Sequence, residues 1–320
     1  MRDDFAGLVA NIANAIAAGL LLSAIFVAPA QAAPRDVTVQ DTDVFPESIA
    51  ATPDGTVFLG SLKKPIIYRA IPNADAKPWI HLSGNQPVTL GVLADPAAKT
   101  LWACVHEPVA APSPTASTPP PQRSFLRGFD LETGAVKSNY PLAGATNGCN
   151  DISIAPDRSV FVTDSGNARL LRLKPGSKAL EIWLEDKQNL DGIDGLNFLD
   201  GKLYVNNVRT SHIYRIPMTP DGKAGTPVDI ALSQPISGPD GMRAEGGVIY
   251  IAENRGGRIS ALKLTGDKAT VTVLKTGLQI PTGVAPMGKT LWASEAKFNY
   301  MRDPKLGNPN PFKVYAIPLP

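Results

Sequence analysis

The sequence predicts an all-β fold: a six-bladed β-propeller over residues 33–320, closed by an N-terminal strand that completes the last blade. One observation is a pattern that recurs six times: a short apolar strand, a turn rich in Pro, Asp and Gly, and a second apolar strand. A second is that no segment after residue 35 carries a sustained apolar stripe of helical period, while 30 prolines and 28 glycines punctuate the chain. A third is the strand arithmetic at the two ends of the chain, taken up below.

The copies are ESIAATPDGTVFLGS from Glu47, LGVLADPAAKTLWAC from Leu90, NDISIAPDRSVFVTDS from Asn150, DGLNFLDGKLYVNN from Asp194, DGMRAEGGVIYIAEN from Asp240 and TGVAPMGKTLWASE from Thr282. The last four begin 44, 46 and 42 residues apart, a spacing expected of propeller blades. The Pro-Asp-Gly and Asp-Gly turns supply a fixed φ followed by a positive one, which reverses the chain between antiparallel strands. Third strands follow as IIYRAI, SFLRGFDL, ARLLRLK, HIYRIPM, RISALKL and KVYAIPL. Only three strands follow Thr282, and one spare strand, DVTVQ from Asp36, precedes Glu47. Pairing the two ends closes the ring and leaves no unpaired edge inside it.

Composition bounds the function. The net charge is +2, with 43% hydrophobic and 19% charged residues, the balance of a soluble globular protein. No basic run or aromatic–basic interleaving is present, so no nucleic-acid partner is expected. Residues 1–32 read as a signal peptide: an apolar run from Ala13 to Ala28 is followed by Pro29 and Ala30-Gln31-Ala32, an A-x-A cleavage pattern. A membrane anchor is the rival reading, although the run is short for a span and MRDD is a poor positive leader. The expected location is secreted or periplasmic, with no stable membrane insertion after cleavage. In such a compartment Cys104 and Cys149 form a disulfide or remain two buried thiols. A Pro/Ala/Ser/Thr-rich insertion at 108–122 interrupts blade two, either as a disordered surface segment or as a flap over the channel mouth.

The repeat also places chemistry. The residue that opens the innermost strand is Glu47, a small or apolar residue near Leu90, then Asn150, Asp194, Asp240 and Thr282. Innermost strands line the axis and all start at one end of it, so Glu47, Asn150, Asp194 and Asp240 should converge there. Each has a plain alternative: Asp before Gly is a turn residue, Asn150 can cap a turn and Glu47 can face solvent. Their coincidence at one repeat position favours a shared site. Clustered carboxylates repel unless something positive lies among them. A donor set of oxygens alone suits a hard cation, Ca²⁺ or another divalent ion. His81, His106 and His212 show no spacing for Zn²⁺. The ends of the second strands, His106, Asp164, Asn207, Glu253, Asn254 and Glu295, reach the same face and are expected to form a substrate rim.

The phrases PESIAATPDGTVFLGS, NDISIAPD, DGLNF, LDGKLYV, PDGM and EGGVIYIAEN resemble the senescence-marker-protein (regucalcin)/gluconolactonase family of six-bladed propellers, and the related diisopropyl-fluorophosphatase and strictosidine-synthase-like propellers. The resemblance runs across all six repeats. It implies Ca²⁺ at the channel centre, with the first-blade glutamate at Glu47, the third-blade asparagine at Asn150, the fourth-blade ligand at Asp194 and the fifth-blade aspartate at Asp240. It also implies that Asp240 is a general base or nucleophile. The sequence departs from the family in three places. Asp194 replaces an amide, Glu47 lacks the Gly-Pro that follows it in sugar lactonases, and Gly148 stands where some relatives carry a substrate-handling arginine.

The expected function is therefore calcium-dependent hydrolysis of a small-molecule lactone or ester. The cation would polarise the carbonyl, Asp240 would act as base or nucleophile, and Asn150 would hold the substrate oxygen. The alternative is a non-catalytic, metal-stabilised propeller that binds a small ligand or a protein. A lyase or synthase is a third. No Gly-x-Ser-x-Gly elbow is present, which argues against a serine hydrolase.

Overall fold

Six small sheets follow one another along the chain in a computed structural model that describes residues 34–109, 121–144 and 147–319. The segment 1–32, read as a signal peptide, and residues 110–120 of the Pro-rich insertion lie outside the described residues. Apart from one added strand each in blades 5 and 6, each sheet has antiparallel strands in chain order. The first strands of the six blades are Ile49–Ala51, Val88–Asp95, Cys149–Ile154, Ile193–Leu199, Pro239–Glu245 and Pro281–Met287. Each first strand touches those of the blades on either side, and the sixth touches the first, so the chain is a closed six-bladed β-propeller with these strands around its axis.

The ring closes as the ends of the sequence require. Val37–Val39 adds to Phe312–Pro318 as the outer strand of blade 6, with Val37 opposite Val314 and Val39 opposite Phe312. Blade 5 carries an extra element: Ala231–Leu232 pairs in parallel with Lys268–Lys275, outside the fourth strand. The turns use the predicted chemistry. In Pro53-Asp54-Gly55, Asp54 Oδ1 accepts from Thr52 Oγ1 and from the Thr56 amide, and Gly55 takes φ +86°.

The core is divided among the blade interfaces. Phe58, Ile67, Val92 and Leu101 join blades 1 and 2. Leu126, Ile152, Val162 and Leu171 join blades 2 and 3. Phe161, Leu170, Leu196 and Val205 join blades 3 and 4. Comparable clusters lie between blades 4 and 5, 5 and 6, and 6 and 1. A single blade exposes both faces, so stacking around an axis is what gives each strand an apolar partner on either side.

Cys104 and Cys149 are disulfide-bonded, with Cα atoms 5.2 Å apart and a sequence separation of 45. The bond ties the second strand of blade 2 to the first of blade 3. The chain-entropy contribution of such a loop is about 2–4 kcal/mol. Replacing both cysteines by Ser is expected to lower the denaturant midpoint accordingly, read by tryptophan fluorescence. No helix among the described residues is long and apolar enough to cross a membrane.

The insertion in blade 2 is narrower than its sequence bounds. Pro108 and Gln122 pair with each other as the last rungs of a ladder, and the Val109 amide donates to the Pro121 carbonyl. A second long connection occupies the same place in blade 6, between Thr290–Glu295 and Phe312–Pro318, and contains a short helix, Phe298–Arg302. Both connections follow a second strand, so both leave the blade at the end where the first strands begin.

Candidate metal centre

Five of the six first strands are irregular at the same rung. The ladder to the second strand shifts between Thr89 and Val92, Cys149 and Ile152, Ile193 and Leu196, Pro239 and Met242, and Pro281 and Gly283. In blades 2 to 5 the pair left out of register is Leu90-Gly91, Asn150-Asp151, Asp194-Gly195 and Asp240-Gly241. A bulge bends its strand and re-aims a side chain, and in blades 3 to 5 the first residue of the pair, Asn150, Asp194 or Asp240, belongs to one cluster.

In blades 2, 4 and 5 the second residue of the pair is glycine for a steric reason. A Cβ on Gly91 would lie 2.1 Å from the Asn150 carbonyl oxygen, one on Gly195 2.5 Å from that of Asp240, and one on Gly241 2.6 Å from that of Thr282. Each glycine is thus the point where a first strand meets the backbone of the next blade. Gly195→Ala is expected to cost about 1–3 kcal/mol, as overpacking against a rigid neighbour does, with a lower melting temperature by calorimetry.

Three of the four predicted side chains meet directly. Glu47, Asp194 and Asp240 each bring one carboxylate oxygen within 4.8 Å of the others. Asn150 is beside them: its Nδ2 donates to Asp194 Oδ2 at 3.1 Å. Glu47, Asp194 and Asp240 are buried, at 7%, 7% and 5% exposure. Glu47 Oε2 and Asp194 Oδ1 are buried with no hydrogen-bond partner. Asp240 is better provided: Oδ1 accepts from the Gly241 amide at 3.0 Å and Oδ2 from Asn254 Nδ2 at 2.8 Å.

The electrostatics follow from this crowding. Burial holds the Glu47 carboxyl well above the usual carboxylate range, and the charges of Asp240, Asp194 and Asp151 add to it, while Arg243 acts in the opposite sense. Burial and the charges of Asp240 and Asp151 do the same at Asp194, against the Asn150 hydrogen bond. Burial pushes Asp240 from 3.8 to about 7, with Asp151 adding to it and the bonds from Asn254 and Gly241 restraining it. Orphaned buried oxygens and mutually repelling carboxylates are what a divalent cation would relieve, so the residues present fit one. All candidate donors are oxygens, the preference of a hard ion such as Ca²⁺.

The expected substrate rim takes a different form. Asp164 and Glu253 have no exposed surface, and Asn207, Glu295 and His106 are buried at 2%, 3% and 8%. Their side chains are engaged by the protein. Asp164 accepts from the Gly148 amide and pairs with Arg169, and Glu253 accepts from the Ser237 amide and pairs with Arg258. Glu295 accepts from the Gln279 amide, Asn207 donates to the Asn189 and Asp191 carbonyls, and His106 Nε2 lies 2.6 Å from the Cys149 carbonyl oxygen. The end of a second strand thus clamps the loop that enters the first strand of its own blade, or in His106 of the next. These five act as architecture, because a strand end beside that loop meets unpaired backbone groups before it meets solvent. Asn254 alone of the six touches the centre.

Two residues of the channel escaped the sequence reading. Asp151 and Arg243 form a buried bidentate pair, Nη1 to Oδ2 at 2.7 Å and Nη2 to Oδ1 at 2.8 Å. Simple strand alternation would send Asp151 and Asn150 to opposite faces. The signal that was present is the repeat itself: Asp151 stands where blades 2, 4, 5 and 6 have glycine.

No protein-family model matches the chain, and none of the curated proteins does. Solved structures do. A candidate oxidoreductase (glucose dehydrogenase) from Thermus thermophilus superposes with a TM-score of 0.61 at 15% identity, covering 88% of this chain and 100% of that one. A candidate gluconolactonase gives a TM-score of 0.59 at 17% identity over 89% and 94% of the two chains. Virginiamycin B lyase from Staphylococcus aureus gives 0.58 at 13% over 89% and 99%. The likeness is one of fold, and three chemistries share it.

Proposed function

We propose that the chain is a divalent-cation-dependent hydrolase of a small lactone or ester, with Ca²⁺ as the cation. The observation that carries this is the convergence of Glu47, Asp194 and Asp240, with two of their buried oxygens unpartnered, beside Asn150. These four residues would hold the cation, which would supply charge neutralisation and Lewis acidity toward a substrate carbonyl. Asp240 is the base, and Asn254 and the Gly241 amide hold its carboxylate in one orientation. The Asn150 amide is held by its bond to Asp194, so its oxygen is the atom turned to a ligand. The gluconolactonase description of one structural neighbour agrees with lactone chemistry. The disulfide agrees with an oxidising location, secreted or periplasmic, reached through the signal peptide at 1–32.

A second reading, a non-catalytic propeller whose cation joins the blades, is favoured by one observation: the three carboxylates are at most 7% exposed and both Asp240 oxygens already hold hydrogen bonds. Elemental analysis of the purified mature protein, followed by a lactone and ester panel with and without EDTA, separates the two. Turnover that chelation abolishes and Ca²⁺ restores is the expected result. Bound metal without turnover on the panel selects the second reading, and absence of any divalent ion after dialysis against Ca²⁺ sinks both.

A further inference from the structure

The Arg243–Asp151 pair does more than fill the channel. Arg243 lies on the first strand of blade 5, and in a ring of six blade 2 is diametrically opposite. Its Nη2 nevertheless donates to the Val92 carbonyl oxygen of blade 2 at 3.2 Å, so the side chain crosses the axis. Nη1 also donates to its neighbour Met242's carbonyl oxygen at 2.7 Å. With the two bonds to Asp151, all four Nη hydrogens are spent inside the protein, and Arg243 is 7% exposed. A guanidinium so occupied is not a clamp for substrate. What it still exerts at a distance is charge.

That charge sits among the strands that build the centre. Arg243 is three residues from Asp240 on the same strand. Asp151 follows Asn150, and its Oδ2 accepts from the amide of Leu196, two residues beyond Asp194, at 3.3 Å. The Asp151 amide donates to Thr163 Oγ1, which in turn donates to the Asp194 carbonyl oxygen at 2.7 Å. Four carboxylates, Glu47, Asp151, Asp194 and Asp240, therefore share the channel with the Arg243 guanidinium.

We infer that Arg243 sets the strength with which the centre binds its cation, as a fixed positive charge that offsets Asp151 and lowers the negative field at the other three carboxylates. This rests on the reading of the cluster as a cation site. It is a positioning residue as well, but the sign of its effect is electrostatic. Removing the guanidinium leaves Asp151 as a fourth uncompensated carboxylate, and removing Asp151 leaves the guanidinium uncompensated.

The test is calorimetric titration of Ca²⁺ into chelated protein at about pH 8, with fold verified by circular dichroism. Arg243→Gln is expected to bind about tenfold more tightly or better, and Asp151→Asn about tenfold more weakly or worse, given a unit charge acting on a divalent ion in a partly screened interior. The double variant is expected within about threefold of the unsubstituted protein, because each neutral partner cancels the other. Arg243→Lys, which keeps the charge and loses the planar fork, is also expected within about threefold. Weakened binding in both single variants, or loss of more than tenfold in a folded Arg243→Lys, overturns the inference; the Lys variant decides the matter should Arg243→Gln fail to fold. Absence of Ca²⁺ binding by the unsubstituted protein is a different failure, that of the cation site itself.

Discussion

The acidic cluster will cost the chelated protein stability as the pH rises from about 4 to 8, and Ca²⁺ will offset that cost most at the upper end of that range. The carboxyl groups of Glu47, Asp194 and Asp240 are all raised above their ordinary values in the folded chain. In the unfolded chain they ionise near their ordinary values, so between the two limits the folded state binds more protons. Stability from these groups is fully present below the unfolded pKa and is lost as the pH rises through the folded one. For Asp240, raised from 3.8 to about 7, the loss by neutral pH is on the order of 4 kcal/mol. A bound cation reverses the preference, because protons then compete with it, and the affinity for Ca²⁺ rises with pH over the same range. Melting temperatures measured in EDTA and in excess Ca²⁺ should diverge with increasing pH. A gap between the melting temperatures in Ca²⁺ and in EDTA that stays flat from about pH 5 to 8 would show that these carboxyls are not held above their ordinary values as described.

The fold was legible because it is written six times. Period and turn chemistry do not depend on any one blade, and the spare strand at Asp36 had only one place to go. The centre was legible for the same reason: Glu47, Asn150, Asp194 and Asp240 occupy equivalent positions, and a ring turns equivalence in sequence into proximity in space. What could not be read was direction. Strand alternation assumes a regular ladder, and the first strands of five blades break it at the rung of the acidic cluster. Asp151 was therefore passed over beside Asn150, and Arg243, an unremarked residue of MRAEGG, was left on a strand whose opposite wall no local pattern reveals. The second-strand ends were placed at the right end of the molecule. A sequence does not say that the entering loop's amides reach the carboxylates of Asp164 and Glu253, which are fully buried.

Asp240→Asn is expected to lower turnover of the proposed lactone or ester substrate about 10²–10⁴-fold, the usual effect of removing a general base, while raising the stability of the chelated protein. The substitution fits the site. An asparagine oxygen can accept from the Gly241 amide as Asp240 Oδ1 does, and its amide can donate to Asn254 once that side chain turns its own oxygen inward, so no buried group is stranded. What disappears is a negative charge that raises the pKa of both Glu47 and Asp194. Their repulsion falls, and with it the pressure to bind a cation. Lost rate, weaker Ca²⁺ binding and a higher melting temperature in EDTA should appear together. That combination distinguishes removal of a functional charge from ordinary damage, since a merely structural aspartate would lower the melting temperature as it lowered the rate. A variant that keeps full turnover would remove Asp240 from the chemistry and leave the cluster as a cation site that only joins the blades.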